Sequence, residues 1–344
     1  MTQSLVSVTV ITPIYNRKKY VAGMVKMLQA QTLQNIEFIV VDDGSNDGTF
    51  EFLQKATQDD KRFILLRNDG NLGPSAARNK ALRQARGKYI GFFDCDDKIP
   101  ADYFAGLYEQ AEISGADIVY TVYNDVRQPE KTIRGLSEKI ASLRNGALWD
   151  KLYKTSLITK NKLTFAEGLY CADNIFAVQA FYYADSVRLV NQPVYQYALH
   201  SDSIGKDKAK TAKRKVDILT VCAQILDFAH AKNWSRQEEI CLQRFLAKSF
   251  NEYQKDQAFR AQLESLLNLI STKEQTMYGA VEKHSKTIKL FCLIPIYGWK
   301  QRGGRKVWKI LGLPVFKIRK MSNGITTKYY ILGLPVMKVS RKTL

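Results

Sequence analysis

The amino-acid sequence predicts an α/β protein with a mostly parallel β-sheet and helices on both of its faces. Apolar runs with strand character alternate with helical patterns over roughly the first hundred residues, and such alternation is typical of a parallel sheet. Several of these runs end in acidic or glycine-bearing turns. The composition agrees, because 45% of the 344 residues are hydrophobic and 25% are charged, as in a folded globular protein.

The strands and helices of this sheet follow one another in regular order along the chain. The predicted strands are residues 6–12, 36–41, 63–66, 89–93 and 117–123, with further strands at 187–190 and 194–197. The predicted helices are residues 20–31, 75–87 and 101–114, and Ser45 or Asp47 would cap another helix after the second strand. Right-handed crossovers between parallel strands bring the loops after the first, second and fourth strands to one edge of the sheet.

The turn after the strand at residues 89–93 carries three carboxylates, Asp94, Asp96 and Asp97. Like charges packed this closely repel one another, so a divalent cation with oxygen ligands, shared with substrate phosphates, is a natural partner. A solvated acidic turn that leads into the next helix explains the same residues, because Asp is favoured in turns and caps. Both interpretations remain open from this turn alone.

Three loops at the same predicted edge carry complementary chemistry. Tyr15 offers a flat ring for a base, Asp42 and Asp43 offer acceptors for an imide or a ribose hydroxyl, and the acidic turn offers a metal for a diphosphate. Ordinary packing of Tyr15 and a turn-forming role for Asp43 are the structural alternatives. The sequence has no glycine-rich phosphate-binding motif, so metal and side chains would neutralise the phosphates. Together the loops predict a nucleotide site.

Four segments, TPIYNR, VVDDGSNDGT, NLGPSAARNKAL and GKYIGFFDCDD, resemble the donor half of family-2 inverting glycosyltransferases with the GT-A fold, a Rossmann-like fold. The resemblance covers residues 6–123 and implies a UDP-sugar donor with Mn²⁺ or Mg²⁺. The donor-binding residues that it implies are Thr12, Pro13, Tyr15, Asp42, Asp43, Arg78, Asp94, Cys95 and Asp96.

The same resemblance implies individual roles at the donor site. Tyr15 would stack on the uracil and Asp43 would contact it. Asp94 and Asp96 would form the D-x-D metal element of the family, with Asp96 on the metal and Asp94 nearer the ribose. Arg78 would support the diphosphate, although an Arg on a helix is also a common surface or salt-bridge residue.

Residues 124–205 resemble the acceptor half of the polysaccharide branch of this family. Residues 149–153 match its W-x-K-L-Y segment, and Asp173 lies where the family has the catalytic base of an E-D-x-x-F motif, although Ala172 replaces the Glu. The alternative for Asp173 is an N-cap of the helix that follows. His200 lies in a segment that closes over the diphosphate in similar proteins, and it is either a metal or phosphate ligand or a polar loop residue.

The remainder of the chain divides into a helical part and a basic tail. Residues 206–282 have helical patterns and predict an appendage to a catalytic domain at residues 1–205. Residues 283–344 contain 15 Lys and Arg and no acidic residue, so the rest of the chain carries only +4 of the net charge of +19. KVWKILGLPVFK at residues 306–317 recurs as TKYYILGLPVMK at residues 327–338, which predicts short β-hairpins.

The tail favours an anionic membrane surface as a partner, because basic flanks surround apolar centres. Hairpins that merely cover the catalytic domain would explain the apolar residues but not the absence of acids. No nucleic-acid partner is expected, since the main body is nearly neutral. Five scattered cysteines without a C-x-x-C pair argue against zinc and disulfides. With no long apolar segment in the sequence, we expect a cytoplasmic protein, peripheral at the inner face of the membrane.

These observations predict a metal-dependent inverting hexosyl- or N-acetylhexosaminyltransferase that acts on a glycan or glycolipid of the bacterial surface. One alternative is a sugar-nucleotide nucleotidyltransferase, which shares strand-end carboxylates but releases pyrophosphate. Another is a membrane- or nucleic-acid-binding protein whose catalytic site has decayed, an interpretation suggested by Ala172 and the basic tail.

Overall fold

The computed structural model describes residues 6–124, 130–143, 146–198, 211–250, 256–263 and 265, together with five strands between residues 296 and 341. The chain divides into two compact units, residues 1–273 and 274–344. No helix in these described ranges is both long enough and apolar enough to cross a membrane.

The first unit contains one eight-stranded sheet and the helices around it. The strands are β1 (Val8–Ile14), β2 (Ile36–Asp42), β3 (Phe63–Arg67), β4 (Tyr89–Phe92), β5 (Ile118–Tyr123), β6 (Lys131–Ile133), β7 (Lys151–Lys154) and β8 (Val187–Tyr195). The helices are α1 (Lys18–Gln29), α2 (Thr49–Thr57), α3 (Pro74–Leu82), α4 (Tyr103–Ser114), α5 (Leu136–Ser142), α6 (Thr155–Lys160), α7 (Asp173–Tyr183), α8 (Thr211–Ala231) and α9 (Arg236–Ser249).

The order of the strands across the sheet is β3-β2-β1-β4-β7-β5-β8-β6. β1 pairs in parallel with β2 on one side and with β4 on the other, while β6 and β7 are antiparallel to their neighbours. The sheet is therefore mostly parallel, as the sequence predicts. The chain reverses its direction across the sheet at β1 and β4, and a crevice forms outside the carboxyl ends of strands at such a switch point.

Helices cover both faces of the sheet, because alternate side chains of each strand point to opposite sides. One hydrophobic core contains Val8, Val10 and Phe38 with the buried faces of α1 and α4. The other contains Ile11 and Ile39 with α3, α5, α7, α8 and α9. This confirms the predicted arrangement of helices on both faces of the sheet. The carboxyl edge of the sheet therefore lies between two packed layers.

Several elements differ from the sequence-based prediction, which contained no strand or helix at the positions of β6, α5 and α6. β7 was not predicted, since KLYK has lysines at both ends, yet it lies between β4 and β5. The two strands predicted at 187–190 and 194–197 are one strand, β8, which contains Pro193 where the pairing with β5 changes register. Proline cannot donate to the ladder, so it is tolerated at such an irregularity. α3 ends at Leu82 rather than near Gly87.

α8 and α9 are the described helices of the predicted appendage, and their buried residues belong to the same core as α5 and α7. The Ser235 side chain accepts from the backbone N–H of Glu238, whose carboxylate accepts from the N–H of Ser235, so a capping box begins α9. The domain divisions at residues 205 and 282 stay predictions, although residues 1–273 form one compact unit.

The second unit contains antiparallel strands, β9 (Ile296–Arg302), β10 (Arg305–Ile310), β11 (Leu313–Lys317), β12 (Ile325–Ile331) and β13 (Leu334–Arg341). The repeated segments form the hairpins β10–β11 and β12–β13, which confirms the predicted hairpins. The pairing shifts after Trp308 in the first repeat and after Tyr329 in the second, so the irregularity recurs at the equivalent position. Pro314 and Pro335, which lack a backbone donor, lie opposite it in both repeats.

Candidate active site

The loops that follow β1, β2 and β4 meet at the carboxyl edge of the sheet, where the sequence predicts a site. The loop after β1 is held by the loop after β2, because the backbone N–H of Asn16 donates to Ser45 Oγ at 2.8 Å and that of Asn46 donates to Asn16 Oδ1 at 3.0 Å. Asn16 adopts a positive φ of 50° in this tight exchange. Tyr15, next to it, keeps 38% of its surface exposed, which leaves an aromatic face available at the edge.

Asp43 fixes the loop that leads into α3. It is buried, and its Oδ1 accepts from Asn68 Nδ2 at 2.7 Å and from the backbone N–H of Leu72 at 3.1 Å. Its Oδ2 accepts from the N–H of Gly73 at 2.7 Å. An ionised carboxylate has about four acceptor positions, so one remains beyond these three bonds. The predicted contact of Asp43 with a base therefore stays a prediction.

Asp42 is fully buried at the end of β2. Its Oδ2 accepts from the N–H of Ser45 at 3.1 Å and lies 3.2 Å from Nε of Arg67. Its Oδ1 is a buried atom without a hydrogen-bond partner among the described residues, and so is the hydroxyl of Thr12 on the neighbouring strand. Unpartnered buried oxygens are costly, so these two atoms are buried polar groups whose hydrogen-bonding capacity the described residues leave unused.

Gly44 allows these loops to approach one another. Its φ is 75°, and a Cβ at this position would lie 2.6 Å from the backbone of Gly70. Only glycine combines this backbone conformation with so close an approach. The contact ties the loop after β2 to the loop after β3.

The segment Asp94-Cys95-Asp96-Asp97 is a turn closed by a hydrogen bond from the N–H of Asp97 to the carbonyl of Asp94 at 3.1 Å. Asp94 and Asp96 are partly exposed, whereas the side chain of Cys95 is buried in the turn. Asp97 is also buried, and it accepts from Ala198 N–H at 2.8 Å and from the hydroxyl of Tyr195 at 2.7 Å. Two of the three acidic residues are therefore partly accessible, and the third holds the turn.

Arg78 of α3 lies beside the acidic turn. Its side chain is 14% exposed, and Nη2 lies 3.6 Å from Oδ1 of Asp94. Its guanidinium also lies over the ring of Phe165, 5.6 Å from the ring centre. Nε of Arg78 is buried without a hydrogen-bond partner among the described residues. The cation is therefore directed inward toward the carboxylates, and it is not a solvated surface residue.

Asp173 is the first residue of α7, and its position places it in the same electrostatic cluster. Burial raises its pKa, while the positive charge of Arg78, the bond from the N–H of Asn174 and the charge of Lys151 oppose that rise. The N-cap of α7 is Ala172, which makes no side-chain capping bond, and Oδ1 of Asp173 accepts from the N–H of Asn174 at 3.2 Å in the first turn, so the base and the helix-capping roles of Asp173 both stay predictions.

The pKa of Asp94 is raised by burial in the same way. The guanidinium of Arg78 opposes the rise, and the negative charges of Asp96 and Asp173 add to it. Asp94 nevertheless keeps 35% of its side chain exposed. Three carboxylates and one arginine thus interact electrostatically at this edge, and negative charge is in excess.

The sequence matches the model of glycosyl transferase family 2 over residues 9–220. The chain belongs to glycosyltransferase family 2. EpsH of Bacillus subtilis is 30% identical over 218 residues, which are 58% of this chain and 62% of EpsH, so the match spans less than two thirds of that relative.

Solved structures of other glycosyltransferases share the fold. Staphylococcus aureus TarS (residues 1–349), solved in complex with UDP-GlcNAc, matches 88% of this chain and 96% of its own with a TM-score of 0.61 at 19% identity. The mannosyltransferase PcManGT from Pyrobaculum calidifontis, solved with GDP-Man and Mn²⁺, matches 80% of this chain and 88% of its own with a TM-score of 0.52 at 16% identity. The predicted family and GT-A fold are therefore confirmed.

A metal fits the donor set of this family-2 protein only in part. No group of three or more His, Cys, Asp or Glu residues in the described ranges is arranged to hold a metal ion. Asp94 and Asp96 supply oxygen ligands in a region of excess negative charge. One or two carboxylates completed by substrate phosphates are what Mg²⁺ commonly uses, so the pair fits a metal shared with a diphosphate.

The predicted site residues of this family-2 chain fall into three groups. The structure brings Arg78, Asp94, Asp96 and Asp173 into one electrostatic cluster, and it places Thr12, Pro13, Tyr15, Asp42 and Asp43 at the ends of the adjacent strands β1 and β2. His200 lies outside the described residues, so its role stays a prediction. The contacts of all these residues with a ligand stay predictions as well.

Two residues that the sequence-based analysis left unassigned hold this site together. Asn79 donates from Nδ2 to the carbonyl of Phe165 at 2.9 Å and to Oε1 of Glu167 at 2.8 Å, and its Oδ1 accepts from the N–H of Phe165 at 2.8 Å. Tyr195 contacts the acidic turn from β8. Asn79 follows Arg78 in the motif NLGPSAARNKAL, but nothing local to Asn79 or Tyr195 identifies its distant partner.

Proposed function

We propose that this protein is an inverting glycosyltransferase that transfers a sugar from a UDP-sugar to a hydroxyl group of a surface glycan or glycolipid. The observation that carries the proposal is the cluster of Asp173, Arg78 and Asp94 at the switch point of the sheet. A raised pKa in a cleft is what a general base requires near neutral pH. Asp94 and Asp96 form the carboxylate pair that would bind the diphosphate of the nucleotide through a metal.

The donor part of the proposal has two supports. The exposed ring of Tyr15 follows the end of β1, beside the end of β2, where it would offer a nucleoside a stacking surface. TarS, which shares the fold, holds UDP-GlcNAc, and PcManGT holds GDP-Man. We favour UDP because the TarS likeness has the higher TM-score.

In the proposed reaction Asp173 takes the proton of the acceptor hydroxyl. The oxygen attacks the anomeric carbon of the donor sugar, the bond from that carbon to the diphosphate oxygen breaks, and the bonding electron pair leaves with UDP. A single displacement inverts the anomeric configuration. Arg78 would stabilise the negative charge that develops on the leaving diphosphate.

Asp94 and Asp96 would hold Mn²⁺ or Mg²⁺. When bound, such an ion would supply positive charge to the diphosphate. Arg78 would supply positive charge from the protein itself, since its side chain lies beside Asp94 without a bound ligand. PcManGT, on the same fold, holds Mn²⁺.

We further propose that the basic segment after Glu282 brings the protein to an anionic membrane that carries the acceptor. The support is its composition of 15 cations and no acids. A cation near an anionic leaflet contributes about 1 kcal/mol, so a few engaged residues give useful attachment. The proposed location at the inner face of the cell membrane follows from this proposal.

The test of the function is a panel of UDP- and GDP-sugars with Mn²⁺, in which slow hydrolysis of the sugar and release of the nucleoside diphosphate are measured. Calorimetry with UDP and Mn²⁺ on wild type and on Asp96→Ala tests the metal part. We expect the variant to lose metal-dependent UDP binding, because one carboxylate holds a hard cation less well than two. Asp102→Ala, a nearby exposed carboxylate at the start of α4, is the control.

Each result has a definite meaning. Unchanged affinity in Asp96→Ala would remove Asp96 from the metal site. Release of pyrophosphate instead of UDP would make the protein a nucleotidyltransferase. Binding of the nucleotide sugar without any turnover, even with acceptor lipids present, would favour the catalytically decayed alternative.

A further inference from the structure

We propose that the hydroxyl group of Tyr195 is a positioning group for the acidic turn at residues 94–97. The inference rests on the proposed function, because the turn matters as the metal-binding element. Tyr195 belongs to β8, which is not a neighbour of β4 in the sheet. It is nevertheless fully buried against the turn that follows β4.

The hydroxyl contacts the turn at both of its ends. It donates to Oδ2 of Asp97 at 2.7 Å, and it lies 3.5 Å from the backbone N–H of Asp94, where it accepts a long, weak hydrogen bond. Burial first, and then the nearby charges of Asp94 and Asp97, raises the pKa of Tyr195 well above its ordinary value, so the phenol keeps the proton that it donates. The turn between these contacts contains Cys95 and Asp96.

The ring of Tyr195 is held on several sides, so the hydroxyl has a fixed position. It stacks on Trp149 with ring centres 4.4 Å apart and planes at 17°, and it meets Tyr103 and Phe93 edge-on at 5.6 Å and 6.3 Å. A second tie runs beside it, where Lys98 and Gln196 exchange backbone hydrogen bonds at 3.1 Å and 2.9 Å. The position of the turn is therefore set by β8 as well as by β4.

A short turn that carries ligands would lose conformational entropy on binding unless it were ordered in advance. Partners that orient metal ligands without touching the metal commonly change metal affinity by about 10- to 100-fold when removed. Because Asp97 is engaged with Tyr195 and Ala198, its carboxylate acts here as an anchor for the turn that carries Asp94 and Asp96.

The matched variants are Tyr195→Phe and Tyr103→Phe. Both keep a buried ring in the same aromatic cluster and remove one hydroxyl, but the hydroxyl of Tyr103 donates to the carbonyl of Trp149 at 2.9 Å and does not contact the turn. The first measurement is the Mn²⁺ affinity of the UDP complex, read from the signal of free Mn²⁺ in electron paramagnetic resonance. The second is hydrogen exchange of the peptide that covers residues 92–98, without metal or nucleotide.

We expect Tyr195→Phe to weaken Mn²⁺ binding by about tenfold and to speed exchange in the turn, while Tyr103→Phe changes the affinity less than about twofold. Equal effects of the two variants, or unchanged affinity and exchange in Tyr195→Phe, would overturn the inference. Failure of the proposed function is seen separately, in wild type, as UDP binding that does not respond to Mn²⁺. That result would overturn the inference as well. Unchanged Mn²⁺ affinity and exchange in Tyr195→Phe, by contrast, would overturn only the inference and leave the proposed function intact.

Discussion

At the scale of single residues, Arg78 interacts with both Asp94, which is proposed to act at the donor, and Asp173, which is the proposed base for the acceptor. Its positive charge opposes the rise of pKa that burial causes in both Asp94 and Asp173. The sequence leaves open whether this arginine lies on the surface. Its inward position could not be predicted from the helix pattern, because it depends on Phe165 and on a turn that follows a different strand.

The first prediction concerns Asp173→Asn, which keeps the shape of the side chain but cannot take the proton of the acceptor. We expect transfer to fall by about a hundredfold or more, with the affinity for the nucleotide sugar nearly unchanged. Product formation and calorimetry measure the two quantities. Near-normal turnover would point to Glu167, which is exposed and accepts a hydrogen bond from Asn79, as the base instead.

The second prediction concerns pH. The base must be deprotonated, and burial raises the pKa of Asp173 above the ordinary 3.8, so transfer should decline as the pH falls through a value above 3.8. Arg78→Met removes a charge that opposes this rise, and the acid limb of the kcat profile should move to higher pH. Arg83→Met, an exposed arginine just after α3, is the control and should leave the limb in place. An unchanged limb in Arg78→Met would contradict the electrostatic link.

At the scale of elements, the loops at this edge of the sheet and helix α3 are held by distant segments as well as by their own strands. Gly44 against Gly70 and Asn79 against Phe165 each join segments that are distant along the chain. Strand and helix positions followed from periodicity, because apolar alternation is local. These ties were not predictable, since the sequence around the loop residue Gly44 or around Asn79 of α3 is the same whether or not the residue has a distant partner.

The third prediction concerns Gly44→Ala, which should lower the free energy of unfolding by about 2 kcal/mol or more, because a positive φ and a close backbone contact both oppose a Cβ. Gly23→Ala in α1 is the matched control, since nothing lies within 4 Å of the position that its methyl group would take. It should stabilise by about 0.5–1 kcal/mol. Urea unfolding measures the free energy of unfolding of both variants, and equal destabilisation would contradict the prediction.

The fourth prediction concerns Asn79→Ala, which removes three hydrogen bonds to the segment that precedes α7. Because the backbone groups of Phe165 would be left buried and unpaired, we expect a loss of about 1–3 kcal/mol in unfolding free energy. Transfer should fall more than donor hydrolysis, since Phe165 stacks on Phe176 of the helix that begins at Asp173. Asn161→Ala, which loses one local bond to Leu157, is the control.

At the scale of the whole molecule, charge and chemistry are separated along the chain. The proposed donor and base residues all precede residue 174, whereas most of the net positive charge follows Glu282. The compact unit at residues 1–273 contains all of the described site. The composition of the tail was evident from the sequence, but composition alone does not say what the tail binds.

The fifth prediction follows from this separation. A chain that ends at Glu282 should still hydrolyse the nucleotide sugar slowly but should not sediment with anionic liposomes. The full chain should bind them at low salt and release them at high salt, because the attraction is screened within about 8 Å at physiological ionic strength. Loss of donor binding in the shortened chain would mean that the tail is part of the catalytic fold. Binding that does not respond to salt would assign attachment to the apolar residues.

The repeated hairpins β10–β11 and β12–β13 share their pairing irregularity and are offset by 21 residues, from Lys306 to Thr327. Because each hairpin is a repeated unit that lies after the proposed catalytic residues, the number of hairpins can change without changing those residues. If each copy contacts the same surface, their contributions multiply through effective concentration, and deletion of one period would reduce attachment far more than by half. The number of hairpins that bind, rather than the strength of any single contact, would then determine how long the enzyme stays at a membrane.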